Sequence, residues 1–378
     1  MGRLGAKALE GEEPCATGIG SPYLTIVATS RNDGHGGNLL RRMQLFVNGL
    51  LSQCRRYRLD AEFVLVEWNP PPDRPRLVDA LRWPGGPCCV RIIEVPPHIH
   101  MQFKHSKMLP LFQMIAKNVA IRRAQGRFVL ATNVDILFSN ELMSFLASGS
   151  LRKECMYRVD RHDVPPDVPL TASTDEQLDF CKRNAFRVCR RDGTYNLRSA
   201  RSGRTKSRTP SVRGEFREIS AQFLPAGVME YLRGFKTHLT HRAKPVRLHT
   251  NASGDFTLMA REQWFRVRGY PELHMFSPHL DSLLCYVAYY AGVKEVVLPY
   301  RIFHIEHSGT LARDVERTSE DLDKPLSKAG VPQLTWKELQ AWATRMHRER
   351  RPIILNDENW GLAQESFPET TVGKNQDK

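Results

Sequence analysis

Two polar side chains separated by one residue, Asn133 and Asp135, follow the apolar run at 128–132 (FVLAT). At that spacing beyond a strand, side chains project to the same side. Such a pair can hold a divalent cation together with a ribose or a diphosphate. Mg2+ and Mn2+ prefer oxygen ligands, and one or two carboxylates are enough where phosphate oxygens complete the shell. Other groups fit for chemistry follow: Asp255 after Gly254, Asp281 after His279 and Leu280, and His304 and His307 in the run FHIEH. Each also has an ordinary structural reading. Asp281 suits a helix N-terminus, where an acid meets the positive end of the helix dipole. His304 and His307 could be surface residues after an edge strand. His249 either lines a pocket or closes a turn, and Arg158 and Arg161 either contact phosphate or pair with Asp160 and Asp163.

These groups matter only if a fold brings them together. Residues 23–29 (YLTIVAT), 63–67 (FVLVE), 90–95 and 128–132 read as buried strands. Leu39, Leu40, Met43, Phe46, Val47, Leu50, Leu51 and Cys54 recur at three and four residues, one apolar stripe of a helix. A short helical piece at 77–81 and a longer helix at 107–125, stopped by Gly126, fall between the later strands. This alternation predicts an α/β fold with a mostly parallel central sheet flanked by helices and right-handed crossovers. In such open sheets ligands bind beyond the carboxyl ends of the strands, where 30–33, 67–69 and 133–135 offer polar side chains. One such group could be a turn that caps the next helix; three at one edge point to a binding site. After a strand at 157–161, regularity fades in a middle stretch rich in Arg, Pro, Ser and Thr, with short strands at 186–188 and 195–197. It returns with a strand at 256–260, a helix to 266, the Gly269-Tyr270-Pro271 break, a helix at 280–291 and a strand at 295–298. A tail helix at 336–348 precedes extended chain.

The stretch 117–140 (KNVAIRRAQGRFVLATNVDILFSN) is a helix ending in Ala-Gln-Gly that feeds a buried strand and then Asn133-Val134-Asp135. It resembles the core of GT-A-fold glycosyltransferases, nearest the family-2-type enzymes, and the resemblance extends over roughly 23–307. There a helix of the pattern R/K-N-x-(G/A)-x-x-x-A-x-G precedes the strand that carries a D-x-D motif. The resemblance implies a GT-A, Rossmann-like fold and hexosyl transfer from a nucleotide-sugar, UDP-sugars first, to an unidentified hydroxyl on a saccharide, lipid-linked or protein acceptor. It places Arg31, Asp33 and Glu67 on the nucleoside and adds Asn118, Asn133 and His249 to the substrate-binding set. Asp135 with His304 or His307 would bind Mn2+ or Mg2+. Asp281, where the family has an E-D pair, would be the general base of an inverting transfer, with Asp255 as its competitor. Asn133 stands where the family has its first acid. An amide can bond a ribose hydroxyl but is a poorer metal ligand, so Asp135 carries the metal role nearly alone among the early residues. A metal-independent transfer stays open.

With 378 residues, 41% hydrophobic and 25% charged, the chain is neither disordered as a whole nor fibrous. Its most apolar uncharged runs, 43–54 and 282–293, have 12 residues each, against about 20 for a bilayer span. With no apolar signal core near the N-terminus, a cytoplasmic location is expected. Eight cysteines without a C-x-x-C pair read as reduced structural thiols. Net charge is +14, and 12 Lys or Arg between 181 and 217, against Asp192 and Glu215, carry most of it. That stretch could meet phosphates or an acidic membrane surface, adding a peripheral membrane contact, or could be a solvated loop. Few aromatics and no binding module make nucleic acid the weaker partner.

The expected organisation is a disordered N-terminus (1–20), a nucleotide-sugar-binding half (21–160), a loop-rich basic insertion (161–246), an acceptor and catalytic half (247–312), and a C-terminal helix with an extended tail (313–378). Two rival classes keep a place. A nucleotidyltransferase shares this architecture but would carry a glycine- and lysine-rich loop after the first strand, and 31–37 (RNDGHGG) has the glycines without a lysine. A non-catalytic binding protein of the same fold would need no cluster of Asp135, Asp281 and His304.

Overall fold

The computed structural model describes residues 20–197, 245–307 and 330–372. Strand β1 (Leu24–Ser30) leads to helix α1 (Leu39–Tyr57), β2 (Ala61–Trp68), α2 (Leu77–Ala80), β3 (Cys89–Val95), α3 (Pro97–His100) and α4 (Gln113–Arg123). Then come β4 (Phe128–Thr132), β5 (Ile136–Phe138), α5 (Asn140–Ala147), β6 (Cys155–Val164), α6 (Thr174–Asn184), β7 (Arg187–Arg190) and β8 (Gly193–Asn196). The second segment adds β9 (Phe256–Ala260), α7 (Arg261–Val267), α8 (Leu280–Tyr290) and β10 (Lys294–Ile305). The third adds α9 (Trp336–Glu349) and β11 (Glu369–Val372).

The main sheet runs β11-β3-β2-β1-β4-β9-β6-β10-β5, with β7 hung on β6 and β8 on β7. Strands β3, β2, β1, β4, β6 and β10 share one direction; β11, β9 and β5 oppose it. The expected architecture, a mostly parallel central sheet flanked by helices, is present. β1 and β2 are buried along their whole length, as strands covered on both faces are. Leu24, Ile26 and Ala28 pack with Met43, Phe46, Val47 and Leu50 of α1 on one face. Val27, Val64 and Val66 pack with α4, α7 and α8 on the other. Shared direction has a functional consequence: the carboxyl ends of β1, β2, β4, β6 and β10 form one rim, and antiparallel β9 begins there.

Several boundaries differ from those the pattern suggests. The helix expected from 107 begins at Gln113, because Pro110 and the turns before it interrupt the backbone ladder. The strand expected at 295–298 continues to Ile305 past a register shift between Leu298 and Arg301, where Pro299 cannot donate to the ladder. His304 is thereby inside the sheet and 9% exposed, not beyond an edge strand. The boundary drawn at 160/161 cuts β6 in two. The strand expected at 157–161 runs on to Val164, which buries Asp163 and pairs it with Arg161. Helix α6, closed by reciprocal hydrogen bonds between Ser173 and Glu176, then packs Leu178 and Cys181 with Leu45 of α1. The tail is no loose chain either: β11 pairs with β3, and Arg91 bridges Glu369 and Glu62.

Residues 1–19 of the expected disordered N-terminus (1–20) and most of the basic stretch (198–217) lie outside the described residues, as do 218–244, 308–329 and 373–378. Among the described residues every cysteine is free and buried, and no helix is long and apolar enough to cross a membrane.

Asn118, expected to bind substrate, is instead a fastener inside the fold. It is fully buried. Its amide donates to Tyr270 O (2.8 Å) and Glu272 Oε1 (2.9 Å), and its oxygen accepts from Tyr270 N (2.8 Å). No donor is left for a ligand. Asn118→Ala is expected to lower stability by about 1–3 kcal/mol, because the buried Tyr270 amide loses its acceptor. Denaturant unfolding reads that loss, and nucleotide affinity of the folded variant should not change. Normal stability with weakened nucleotide binding would put Asn118 back in the site.

Candidate active site

Strand pairing sets the centre of the site. β10 lies between β6 and β5, with His304 in register with Asp163 on one side and Ile136 on the other. The Ile305 amide donates to the Asp135 carbonyl (3.0 Å), which clamps the residue before β5 against the end of β10. Asp135 Oδ2 consequently faces His307 Nε2 at 3.4 Å and His304 Nε2 at 3.8 Å. One ligand atom from each of the three residues falls within 4.8 Å of the others. Asp135 Oδ1 is buried and has no hydrogen-bond partner, a costly state for a carboxylate oxygen unless something positive meets it. A carboxylate and two imidazoles around one point, with an oxygen in need of a partner, fit a divalent cation.

The histidines are not equivalent. His304 Nδ1 lies 3.1 Å from Asp163 Oδ1. Burial would depress its pKa most, but this hydrogen bond and the negative charges of Asp135 and Asp163 together outweigh it, and the net shift is upward. His307 goes the other way, lowered chiefly by burial. It packs under the β1–α1 loop. Gly36 has φ +65°, and a Cβ there would overlap His307 Nδ1. Buried Arg42 fixes that loop by donating to the carbonyls of His35 (2.8 Å) and Gly37.

A continuous polar chain leads away from Asp135, His304 and His307. Asp163, fully buried, ion-pairs with Arg161 Nε at 2.9 Å, without hydrogen-bond alignment at that nitrogen. Arg161 then donates to Asp255 Oδ2 (2.7 Å), and Asn133 Nδ2 donates to Asp255 Oδ1 (2.5 Å). Gln113 donates to Asn133 Oδ1 (2.9 Å) and accepts from Ser277 Oγ (3.3 Å). Burial would raise the Asp255 pKa; Arg161 foremost holds it below the ordinary value. Paired directly with the Arg161 guanidinium and held in its anionic form, Asp255 suits anchoring better than proton abstraction.

Asp281 closes the other end. Its Oδ2 accepts from Ser253 Oγ (2.7 Å) and Gly254 N (2.5 Å), and its Oδ1 from Ser282 N (2.8 Å). Lys117, fully buried on α4, donates to Gly254 O (2.7 Å). Burial pushes its pKa down to about 8, against the pull of Asp255, Asp281 and Asp135. Asp281 and Asp135 thus belong to one electrostatic cluster at one rim. Arg158 shapes the turn before it, donating to the carbonyls of His249 (3.0 Å), Ser253 (3.3 Å) and Asn251 (3.3 Å) and to Thr257 Oγ1 (2.9 Å). It meets neither of the acids expected for it.

The remaining expected residues stand apart from this chain. His249 is fully buried, with Nε2 3.0 Å from Asp160 Oδ1; it closes a turn and does not line a pocket. Arg31 donates to Asn69 O (2.7 Å) and Asp33 Oδ2 (3.2 Å), and Asp33 Oδ1 accepts from His35 N (3.0 Å). Glu67 ends β2 on the same rim. Its Oε2 accepts from Leu77 N (2.9 Å), its Oε1 is buried without a partner, and burial pushes its pKa up to about 7. Sequence reasoning missed Lys117 and Arg187; it named Asp163 as a partner for an arginine, and Arg161 does pair with it, but its contact with His304 was not foreseen. Lys117 had a signal, a cation that with Asn118 interrupts the apolar run of 114–121.

No protein-family model and no curated protein matches this sequence. Among solved structures it is similar to residues 1–349 of S. aureus TarS, at 13% identity over 75% of this chain and 60% of that one, with TM-score 0.39. It is similar also to the mannosyltransferase PcManGT from Pyrobaculum calidifontis, solved with GDP-Man and Mn2+, at 13% identity over 87% of this chain and 74% of that one, with TM-score 0.38. At such scores the functional reading is left to this chain's own residues.

Two outcomes follow from the geometry. Because the fold prefers neutral Glu67, that residue's contribution to stability is full below the ordinary value of 4.5 and is lost as pH rises through about 7. Glu67→Gln is therefore expected to unfold at higher temperature than wild type above neutral pH. The gap should close towards about pH 5, and a pH-independent gap would contradict the assignment. Gly36→Ala should displace His307 and weaken Mn2+ binding about 10-fold or more. Calorimetric titration with Mn2+ measures this, and unchanged affinity would detach the loop from the site.

Proposed function

We propose that the chain is a nucleotide-sugar-dependent glycosyltransferase, a hexosyltransferase by class, acting on a hydroxyl of a saccharide, lipid-linked or protein acceptor. One observation carries the reading: Asp135, His304 and His307 meet at the rim where the polar chain through Asp255 also ends at Asp281. Resemblance of 117–140 to GT-A enzymes gives this cluster its chemistry. UDP-sugars are the first donors to try, with Glu67, Asp33 and Arg31 on the nucleoside side.

Asp135, His304 and His307 would hold Mn2+ or Mg2+, and two imidazole nitrogens favour Mn2+ of the pair. When bound, the ion offsets charge developing on the departing diphosphate. Asp281 takes the proton of the acceptor hydroxyl while its oxygen bonds to the anomeric carbon and the bond to diphosphate breaks, which inverts configuration. Ser253, Gly254 and Ser282 orient that carboxylate by donating to it. Asp255 and Asn133 hold the floor between base and metal ligands.

The decisive experiment is release of nucleotide from a panel of nucleotide-sugars, with and without Mn2+ and with simple saccharide acceptors. Turnover of one donor, lost on chelation, is expected. Asp281→Asn should cut transfer about 10²–10⁴-fold and leave nucleotide affinity in place. Near-normal transfer in that variant would reassign the base. Donor binding without any turnover would favour a non-catalytic protein of the same fold.

A further inference from the structure

We propose that Asp163 and Arg187 are positioning residues that set the ring orientation and tautomer of His304 and couple both histidines of the site. This rests on the metal role proposed for Asp135, His304 and His307. Asp163 is fully buried, and an ionised carboxylate can only accept. The 3.1 Å contact of its Oδ1 therefore requires the proton of His304 on Nδ1. Nε2, on the side of Asp135, is left with its lone pair. A histidine ligand whose other nitrogen donates to a carboxylate is held in orientation and made more basic.

Arg187 extends the arrangement. It is in register with Asp163 across the β6–β7 pairing. Its Nε donates to Asp163 Oδ2, and its NH2 donates to Glu306 Oε2 (3.0 Å). Glu306 Oε1 accepts from the His307 amide (3.0 Å). One guanidinium thus ties the carboxylate behind His304 to the one that holds the backbone of His307. Arg161 is shared between Asp163 and Asp255. Arg187 supplies a second positive charge to Asp163 and at its other end reaches Glu306.

The test uses the full chain. Nitrogen-15 NMR of histidine-labelled, metal-free wild type at alkaline pH should show His304 as the Nδ1–H tautomer, a signature that a purely structural ion pair would not set. Asp163→Ala should shift the ring towards Nε2–H and weaken Mn2+ binding about 10–100-fold, followed by the EPR signal of free Mn2+. Arg187→Gln, at a partly exposed side chain, should weaken binding in the same direction by less, and it stands in should Asp163→Ala fail to fold. An Nε2–H tautomer in wild type, or a folded Asp163→Ala protein within about twofold of wild-type Mn2+ affinity, overturns the proposal. Wild type that binds no Mn2+ but shows Nδ1–H would refute the metal reading and leave the tautomer assignment standing.

Discussion

Arg161 lies between two buried carboxylates, Asp163 on its own strand and Asp255 at the start of β9. Asp163 leads through His304 to Asp135, and Asp255 leads through Asn133 to Gln113 and by its neighbour Gly254 to Asp281. Both halves of the proposed chemistry therefore hang on one guanidinium. Such a pairing adds little net stability, because desolvation consumes most of the attraction. Removing one partner is the expensive event, about 3–5 kcal/mol, since an uncompensated buried charge stays behind. The arrangement is better understood as a specifier of geometry than as a source of stability: β6, β9 and β10 can dock in only one register without stranding a charge.

The same logic extends to the charge of the whole cluster. Asp135, Asp163, Asp255, Asp281 and Glu306 face Arg42, Lys117, Arg158, Arg161 and Arg187, five charges of each sign. On the proposed reading a divalent cation would make the rim positive and receptive to a diphosphate. Lys117 contributes by being inaccessible. Buried on α4, it counters the acids from beneath while its one donated hydrogen bond holds the Gly254 carbonyl. A solvated lysine would be screened and mobile.

Much of the frame was legible because period and burial agree. The run LTIVATS and the α1 stripe each fit one element, and β1, β2, β4 and α1 fall within a few residues of their expected limits. Asp135, His304, His307 and Asp281 were legible as a set through order and spacing. What escaped was pairing at a distance. Nothing in RVDRHDV says that Asp163 will meet a histidine 141 residues later, since that contact follows from β10 entering the sheet beside β6. Asn118 misled for the opposite reason: the resemblance of its helix put it among the substrate-binding residues, yet its partner is the backbone of Tyr270. Buried polar residues advertise chemistry and fastening in the same letters.

Asn133 shows how one departure can force another. Its amide nitrogen donates to Asp255 Oδ1 at 2.5 Å while its oxygen accepts from Gln113. An aspartate there would set an ionised oxygen against that of Asp255 at hydrogen-bonding distance with no proton between them, a repulsion that a largely buried site cannot screen. Given Asp255 and its tie to Arg161, position 133 has to donate. Position 133 is thereby engaged within the fold, and the side chains left to face Asp135 are His307 at 3.4 Å and His304 at 3.8 Å. On the proposed reading those three would be the cation's ligands, and the engagement of Asn133 follows from where Arg161 sits.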